Sequence, residues 1–250
     1  MLDKKQMTEE DIKFQYITPA ITAKWPKNRI TMETKITDGK INLKGNFVAR
    51  HKPKKADYIL YYNSSNPIAI VEAKDNNHTL SAGLQQAITY AQMLRVPFAY
   101  SSNGDAFFEH DFLTGYEREI ALDEFPSPEE LFARYLSASP KTEREQKVFD
   151  QPYYTSQTTF EPRYYQRNAV NRTVEAIAQG KQRLLIVMAT GTGKTYTAFQ
   201  IVYRLLKSGT KRKVLYLADR NILVDQSIQQ DFAPLEKTIH KINFGNNYLS

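Results

Sequence analysis

Ile68-Ala-Ile-Val-Glu-Ala-Lys74 places three β-branched residues within four positions, then ends on a carboxylate and an ammonium two residues apart. Its apolar part reads as a buried strand. Alternation along a strand sends Glu72 and Lys74 to one face and Val71 and Ala73 to the other. A salt-bridged strand end would carry the same pattern, so the neighbouring residues have to decide what the charged end is for.

Upstream, ADYILYY (56–62) reads as a second strand, separated from this one by the turn sequence Asn63-Ser-Ser-Asn66. Asp57 is therefore expected to meet Glu72 at one end of two adjacent strands. Downstream, 79–94 has helical periodicity, with Leu84, Ala87, Ile88, Ala91 and Leu94 on one face. Gln86 and Tyr90 are four apart and share a face of that helix. VPFAYSS (96–102) and AFFEHDF (106–112) follow as strands around Asn103-Gly104.

Two close carboxylates repel unless a cation lies between them. A hard, oxygen-seeking ion such as Mg²⁺ fits Asp57, Glu72 and the main-chain carbonyl of Ala73, with water completing its shell. Such an ion lowers the pKa of a water nucleophile and neutralises charge growing on a phosphate. Lys74 is placed to orient that water or to stabilise the charge.

Ahead of these strands, Thr8 and Asp11 form a capping pattern before an amphipathic run, IKFQYITPAITAKW. Pro19 within it predicts a kink or two short helices. TMETKIT and KINLKGNFV are expected to pair as a hairpin about Asp38-Gly39. Composition shifts near Ser137, and a Pro-, Ser-, Thr- and charge-rich connector is expected over 138–160. A helix is predicted over 162–179, with Gly180 just past its end. Then come a buried strand, RLLIVMAT, the loop TGTGKT, a helix, TYTAFQIVYRLLKSG, and another strand, KVLYLA, which together read as a βαβ unit.

That loop has phosphate-binding chemistry. Gly191 and Gly193 allow close approach of main-chain N–H groups to phosphate oxygens, and the following helix adds its positive end. Lys194 would reach the β- and γ-phosphates, the Thr195 hydroxyl would ligate Mg²⁺, and Thr190 and Thr192 complete the loop. The leading glycine of the strict pattern is replaced by Met188.

Charge is segregated. Residues 1–56 carry 13 Lys/Arg against 6 Asp/Glu, residues 57–150 carry 7 against 15, and residues 151–250 carry 14 against 6. Basic flanks are compatible with a polyanionic partner, although solvated faces give similar counts. The absence of cysteine excludes a disulfide framework or thiolate metal site and fits a cytoplasmic protein, and no apolar run is long enough to span a membrane.

The residues Ala56-Asp57 and Glu72-Ala73-Lys74 resemble the PD-(D/E)xK nuclease pattern, with alanine at the usual proline. Gln86 and Tyr90 resemble the Q-x-x-x-Y element of its RecB-like branch, in which both residues support the active site and contact DNA. Glu9 or Glu10 resembles an acidic residue that some of these nucleases add, whereas His78 reads as an exposed loop histidine. The P-loop resembles the first motif of superfamily 2 motors. Arg163-Tyr-Tyr-Gln-Arg167 resembles their adenine-reading segment, which gives that role to Gln166, with Arg163 and Tyr165 as weaker candidates. Tyr216–Gln226 resembles the next motor motif, which contacts nucleic acid.

In this order the motifs resemble the R (HsdR) subunit of type I restriction enzymes, from about residue 8 onward. The resemblance implies an α/β architecture: a restriction-endonuclease-like mixed-sheet nuclease domain (1–137), the connector (138–160) and the beginning of a RecA-like P-loop domain (161–250). It implies Mg²⁺ and ATP as cofactors, double-stranded DNA as substrate, and methyltransferase (M) and specificity (S) subunits as partners. It further implies ATP-driven DNA translocation with endonucleolytic cleavage. The Asp-Glu-x-x motif and second RecA-like domain of such motors are not in the sequence, so a fragment with little ATPase activity of its own is expected. The alternatives are a helicase-like ATPase with a non-catalytic DNA-binding module, a type III restriction subunit, in which the motor normally precedes the nuclease, and a structural DNA-binding adaptor.

Overall fold

A computed structural model describes residues 3–37, 41–44, 47–50, 53–156, 162–218, 225 and 227–242. Its centre is a six-stranded sheet in the order β1-β4-β5-β6-β7-β8. The strands are β1 (Ile30–Thr37), β4 (Lys54–Asn63), β5 (Asn66–Ala73), β6 (Phe98–Ser102), β7 (Ala106–Asp111) and β8 (Glu117–Ala121). Only β5 and β6 run parallel; the remaining pairs are antiparallel. The parallel pair needs a crossover, and α3 (Leu84–Leu94) supplies it.

Both faces of the sheet are covered, which explains why β5 is nearly continuously buried. Tyr58, Leu60, Val71, Ala73, Phe98 and Tyr100 pack on one face with Ile12, Ile17 and Ile21 from the N-terminal helices, with Trp25 just beyond them, and with Leu131 and Phe132 of α4 (Pro128–Ala138). Ile59, Ile70 and Ala99 pack on the other face against Ala87, Tyr90, Ala91 and Leu94 of α3. The alternation read from Ile68–Lys74 therefore puts Val71 and Ala73 on the first face, while Ile70 and Glu72 lie on the α3 side.

The N-terminal run forms α1 (Glu9–Ile12), a π-helical segment Lys13–Ile17 and α2 (Thr18–Thr22). Thr8 and Asp11 make the expected reciprocal cap, and Pro19 lies in the first turn of α2, where its missing N–H is tolerated. The expected hairpin between TMETKIT and KINLKGNFV is not formed among the described residues. β1 pairs with β4, while β2 (Ile41–Lys44) pairs with β3 (Phe47–Arg50), and residues 38–40 lie outside the described residues.

The expected connector contains a helix, α5 (Glu143–Asp150), started by a capping box between Thr142 and Glu145. Val148 and Tyr153 pack with Val170 and Val174 of α6 (Tyr164–Ala178) and Leu205 of α7 (Lys194–Lys207). The two strands expected to flank the P-loop are not formed: 183–190 and 213–218 have no ladder among the described residues. A strand exists through its hydrogen-bonded neighbours, and without them Leu185 and Val187 are 88% and 85% exposed.

Candidate functional sites

Antiparallel pairing of β4 with β5 sets Tyr58 opposite Val71, which brings Asp57 beside Glu72. Their contacts are reciprocal. The Asp57 main-chain N–H donates to Glu72 Oε1 at 3.2 Å, and the Ala73 N–H donates to Asp57 Oδ2 at 2.8 Å. The α3 helix closes the other side: Gln86 Nε2 donates to Glu72 Oε2 at 2.6 Å and also lies 3.3 Å from the Tyr90 hydroxyl. Lys74 follows β5. Its ammonium donates to the Ala73 carbonyl at 2.7 Å and lies 3.5 Å from Glu9 Oε2. The structure thus gathers Asp57, Glu72, Ala73, Lys74, Gln86 and Tyr90. Of the two N-terminal acids, Glu9 reaches Lys74, whereas Glu10 turns to Lys13. His78 is an exposed loop histidine bonded to Asp75.

Glu72 is 1% exposed. Burial, followed by the charge of Asp57, pushes its carboxyl up to about 8. Burial and a neighbouring carboxylate both disfavour the charged form in this way. The available donors are all oxygens, two carboxylates and the Ala73 carbonyl, and they suit a hard cation such as Mg²⁺. No group of three or more His or acidic side chains arranged for a metal ion occurs among the described residues. The fit therefore rests on these two acids and a carbonyl.

Two neighbours escaped the sequence reading. Lys13 is 3% exposed and salt-bridges Asp57 Oδ1 at 2.7 Å. Four residues from Glu9 and three from Glu10, it has the spacing of an ordinary surface pair. Gly83 caps α3, where a Cβ would lie 2.8 Å from Ser101 Oγ and 3.4 Å from the Glu72 Cβ. No side chain fits there without displacing a neighbour.

At the second site, Gly191 and Gly193 have positive φ values of 75° and 82°, and Lys194 and Thr195 open α7. Lys194 Nζ donates to the Ala189 carbonyl at 3.3 Å, and Thr192 Oγ1 donates to the same oxygen at 2.6 Å. Gln166 is buried rather than an exposed helical residue. Its Nε2 donates to the Thr192 carbonyl at 2.9 Å, and its Oε1 accepts the Arg163 N–H at 2.9 Å. The Tyr165 hydroxyl lies 3.4 Å from the same Thr192 carbonyl. Thr190 is exposed at the loop's start. Most of the later motor motif, residues 219–224 and 226, lies outside the described residues.

The two halves of the chain match two families. The type I restriction enzyme R protein N terminus (HSDR_N) matches residues 13–126, and the type III restriction enzyme res subunit matches residues 159–248. The chain is 44% identical over 248 residues to the type I restriction enzyme EcoAI endonuclease subunit of Escherichia coli, covering 97% of this chain and 31% of that protein. It is 30% identical over 221 residues to the EcoKI endonuclease subunit of Escherichia coli strain K12, covering 69% of this chain and 18% of that one. The fold matches a fragment assigned as an HsdR subunit of a type I restriction enzyme from Vibrio vulnificus YJ016, with TM-score 0.71 and 41% identity, over 81% of this chain and 38% of that structure. The chain belongs to the R-subunit family of type I restriction enzymes and corresponds to its N-terminal region. It spans under a third of the length of these two E. coli relatives. No helix among the described residues is long and apolar enough to cross a membrane.

Proposed function

We propose that this chain carries the endonuclease centre and the ATP-binding loop of a DNA-translocating restriction subunit. Residues 1–137 would form a restriction-endonuclease-like nuclease domain, 138–160 its link, and 161–250 the start of a RecA-like motor domain. The observation that carries the reading is the unbroken chain of contacts from Asp57 through Glu72 to Gln86 and Tyr90, with Lys74 at its edge. The EcoAI and EcoKI relatives, named as endonuclease subunits, support it.

Asp57, Glu72 and the Ala73 carbonyl would hold Mg²⁺, which when bound lowers the pKa of a water and neutralises phosphate charge. Gln86 fixes the Glu72 carboxylate by hydrogen bonding to one oxygen, and Tyr90 in turn contacts Gln86. Lys74 presents an ammonium beside the Ala73 carbonyl. There it orients the attacking water and balances charge on the scissile phosphate of double-stranded DNA. At the second site, main-chain N–H groups of 190–195 and Lys194 would cradle the phosphates of ATP, Thr195 would meet its Mg²⁺, and Gln166 would read adenine. Methyltransferase and specificity subunits would supply site recognition, and the assembly would work in the cytoplasm.

The test is Asp57→Ala in the complete protein assembled with those subunits. DNA cleavage is expected to disappear while DNA-dependent ATPase persists. Cleavage at the unsubstituted rate would remove Asp57 from the centre.

A further inference from the structure

Lys13 is the one lysine whose ammonium meets four carboxylates among the described residues. Its Nζ lies 2.7 Å from Asp57 Oδ1, 2.8 Å from Glu10 Oε1, 2.8 Å from Glu33 Oε1 and 3.9 Å from Glu9 Oε1. A single ammonium cannot neutralise four acids, and a lysine this buried is uncommon unless paired. Burial opposes its charge, but the bonds to Asp57, Glu10 and Glu33 outweigh it and hold the ammonium protonated.

Two backbone irregularities place these groups. Lys13 opens the π-helical segment between α1 and α2, a device that re-aims side chains and recurs at functional sites. Glu33 occupies the left-handed region with φ 49°, an uncommon conformation for a non-glycine residue. Both distortions fall on residues that share the same ion-pair cluster.

We propose that Lys13 is a positioning residue of the nuclease centre: a fixed internal cation that aims Asp57 and competes with the divalent ion for its charge. The proposal rests on the nuclease reading above. Lys13 holds Asp57 Oδ1 while the Ala73 N–H holds Oδ2, so both carboxylate oxygens are oriented from the protein side. The lysine therefore favours a correctly aimed but more weakly bound metal. Its removal should have opposite effects on binding and on cleavage, which a merely structural lysine would not produce.

The test is calorimetric titration of the complete, nucleotide-free protein with Mn²⁺, alongside DNA cleavage in the assembled complex. Lys13→Met is expected to bind Mn²⁺ at least about fivefold more tightly and yet cleave at least about tenfold more slowly. Lys13→Arg, which retains the charge, should keep the original affinity and recover part of the cleavage. Unchanged or weaker Mn²⁺ binding by Lys13→Met overturns the proposal. If that variant fails to fold, Glu33→Gln replaces it. Relieving Lys13 of one acid should weaken Mn²⁺ binding, and an unchanged isotherm overturns the proposal. Glu72→Gln separates the two readings. If it leaves Mn²⁺ binding untouched, the nuclease reading fails and this proposal with it. If it abolishes binding while Lys13→Met leaves affinity unchanged, the Lys13 proposal alone fails.

Discussion

Asn168 Nδ2, on α6, donates a 2.8 Å hydrogen bond to the main-chain carbonyl of Met93 in the last turn of α3. The first turn of α6 touches the phosphate loop through Tyr165 and Gln166, and α3 carries Gln86 and Tyr90. The bond joins the helices that serve the two candidate sites. Asn168→Ala should cost about 1 kcal/mol of stability and leave the Met93 carbonyl without this partner. Hydrogen exchange in the last turn of α3 should accelerate relative to its first turn. Equal exchange in both turns would show that the contact contributes nothing.

Gly83 is the second place where a small change should have a large effect. In Gly83→Ala the new methyl would lie 2.8 Å from Ser101 Oγ and 3.4 Å from the Glu72 Cβ, so either the Ser101 side chain or the start of α3 must shift beside Glu72. Cleavage is expected to fall by about tenfold or more, since small misplacements of catalytic groups are costly. ATP binding should be unaffected, as measured with a fluorescent nucleotide analogue.

Gly193 makes the corresponding case for the nucleotide loop. A Cβ there would lie 2.3 Å from Gln166 Nε2, and the φ of 82° disfavours any side chain. Gly193→Ala should abolish ATP binding while leaving Mn²⁺ binding by the nuclease centre intact. Undiminished nucleotide affinity would contradict the loop assignment.

The charged end of Ile68–Lys74 was legible because strand alternation and helix spacing are local rules. Turn length placed Asp57 beside Glu72 and periodicity put Gln86 and Tyr90 on one helix face, while only the resemblance to the Q-x-x-x-Y element joined that face to the two acids. Lys13 was not legible, because i,i+3 and i,i+4 acid–lysine pairs look the same whether a helix faces solvent or a carboxylate site. β1 was assigned the wrong partner because pairing depends on which strand lies adjacent in space, and β4 is remote in sequence. The capping pattern Thr142–Glu145 that starts α5 was present, but the surrounding polar composition suggested a link. RLLIVMAT has strand composition, yet no described strand pairs with it, and composition cannot supply that ladder.

Glu109 on β7 offers a pH test independent of either site. Burial opposes its charge, but a two-pronged contact from Arg134, the Tyr100 hydroxyl and Arg118 hold its carboxyl below the ordinary range. A depressed folded-state pKa contributes stability that is fully present above the unfolded value, near 4.5, and is lost as pH falls through the folded value. Glu109→Gln should cost about 2 kcal/mol near neutrality, since charge-assisted bonds to the partly exposed Arg134 and the exposed Arg118 are lost while Arg134 keeps Asp111. The gap between wild type and variant in urea unfolding should narrow below about pH 4.5. A gap that does not change with pH would show that the loss comes from packing rather than charge.

Lys74→Ala in the assembled complex tests the nuclease assignment most directly, with DNA cleavage and DNA-dependent ATPase measured on the same preparation. Lys74 reaches the Ala73 carbonyl and Glu9 and has no contact with the phosphate loop. Cleavage should be lost while ATPase and translocation continue at their original rates. Normal cleavage by this variant would contradict the assignment of the catalytic centre.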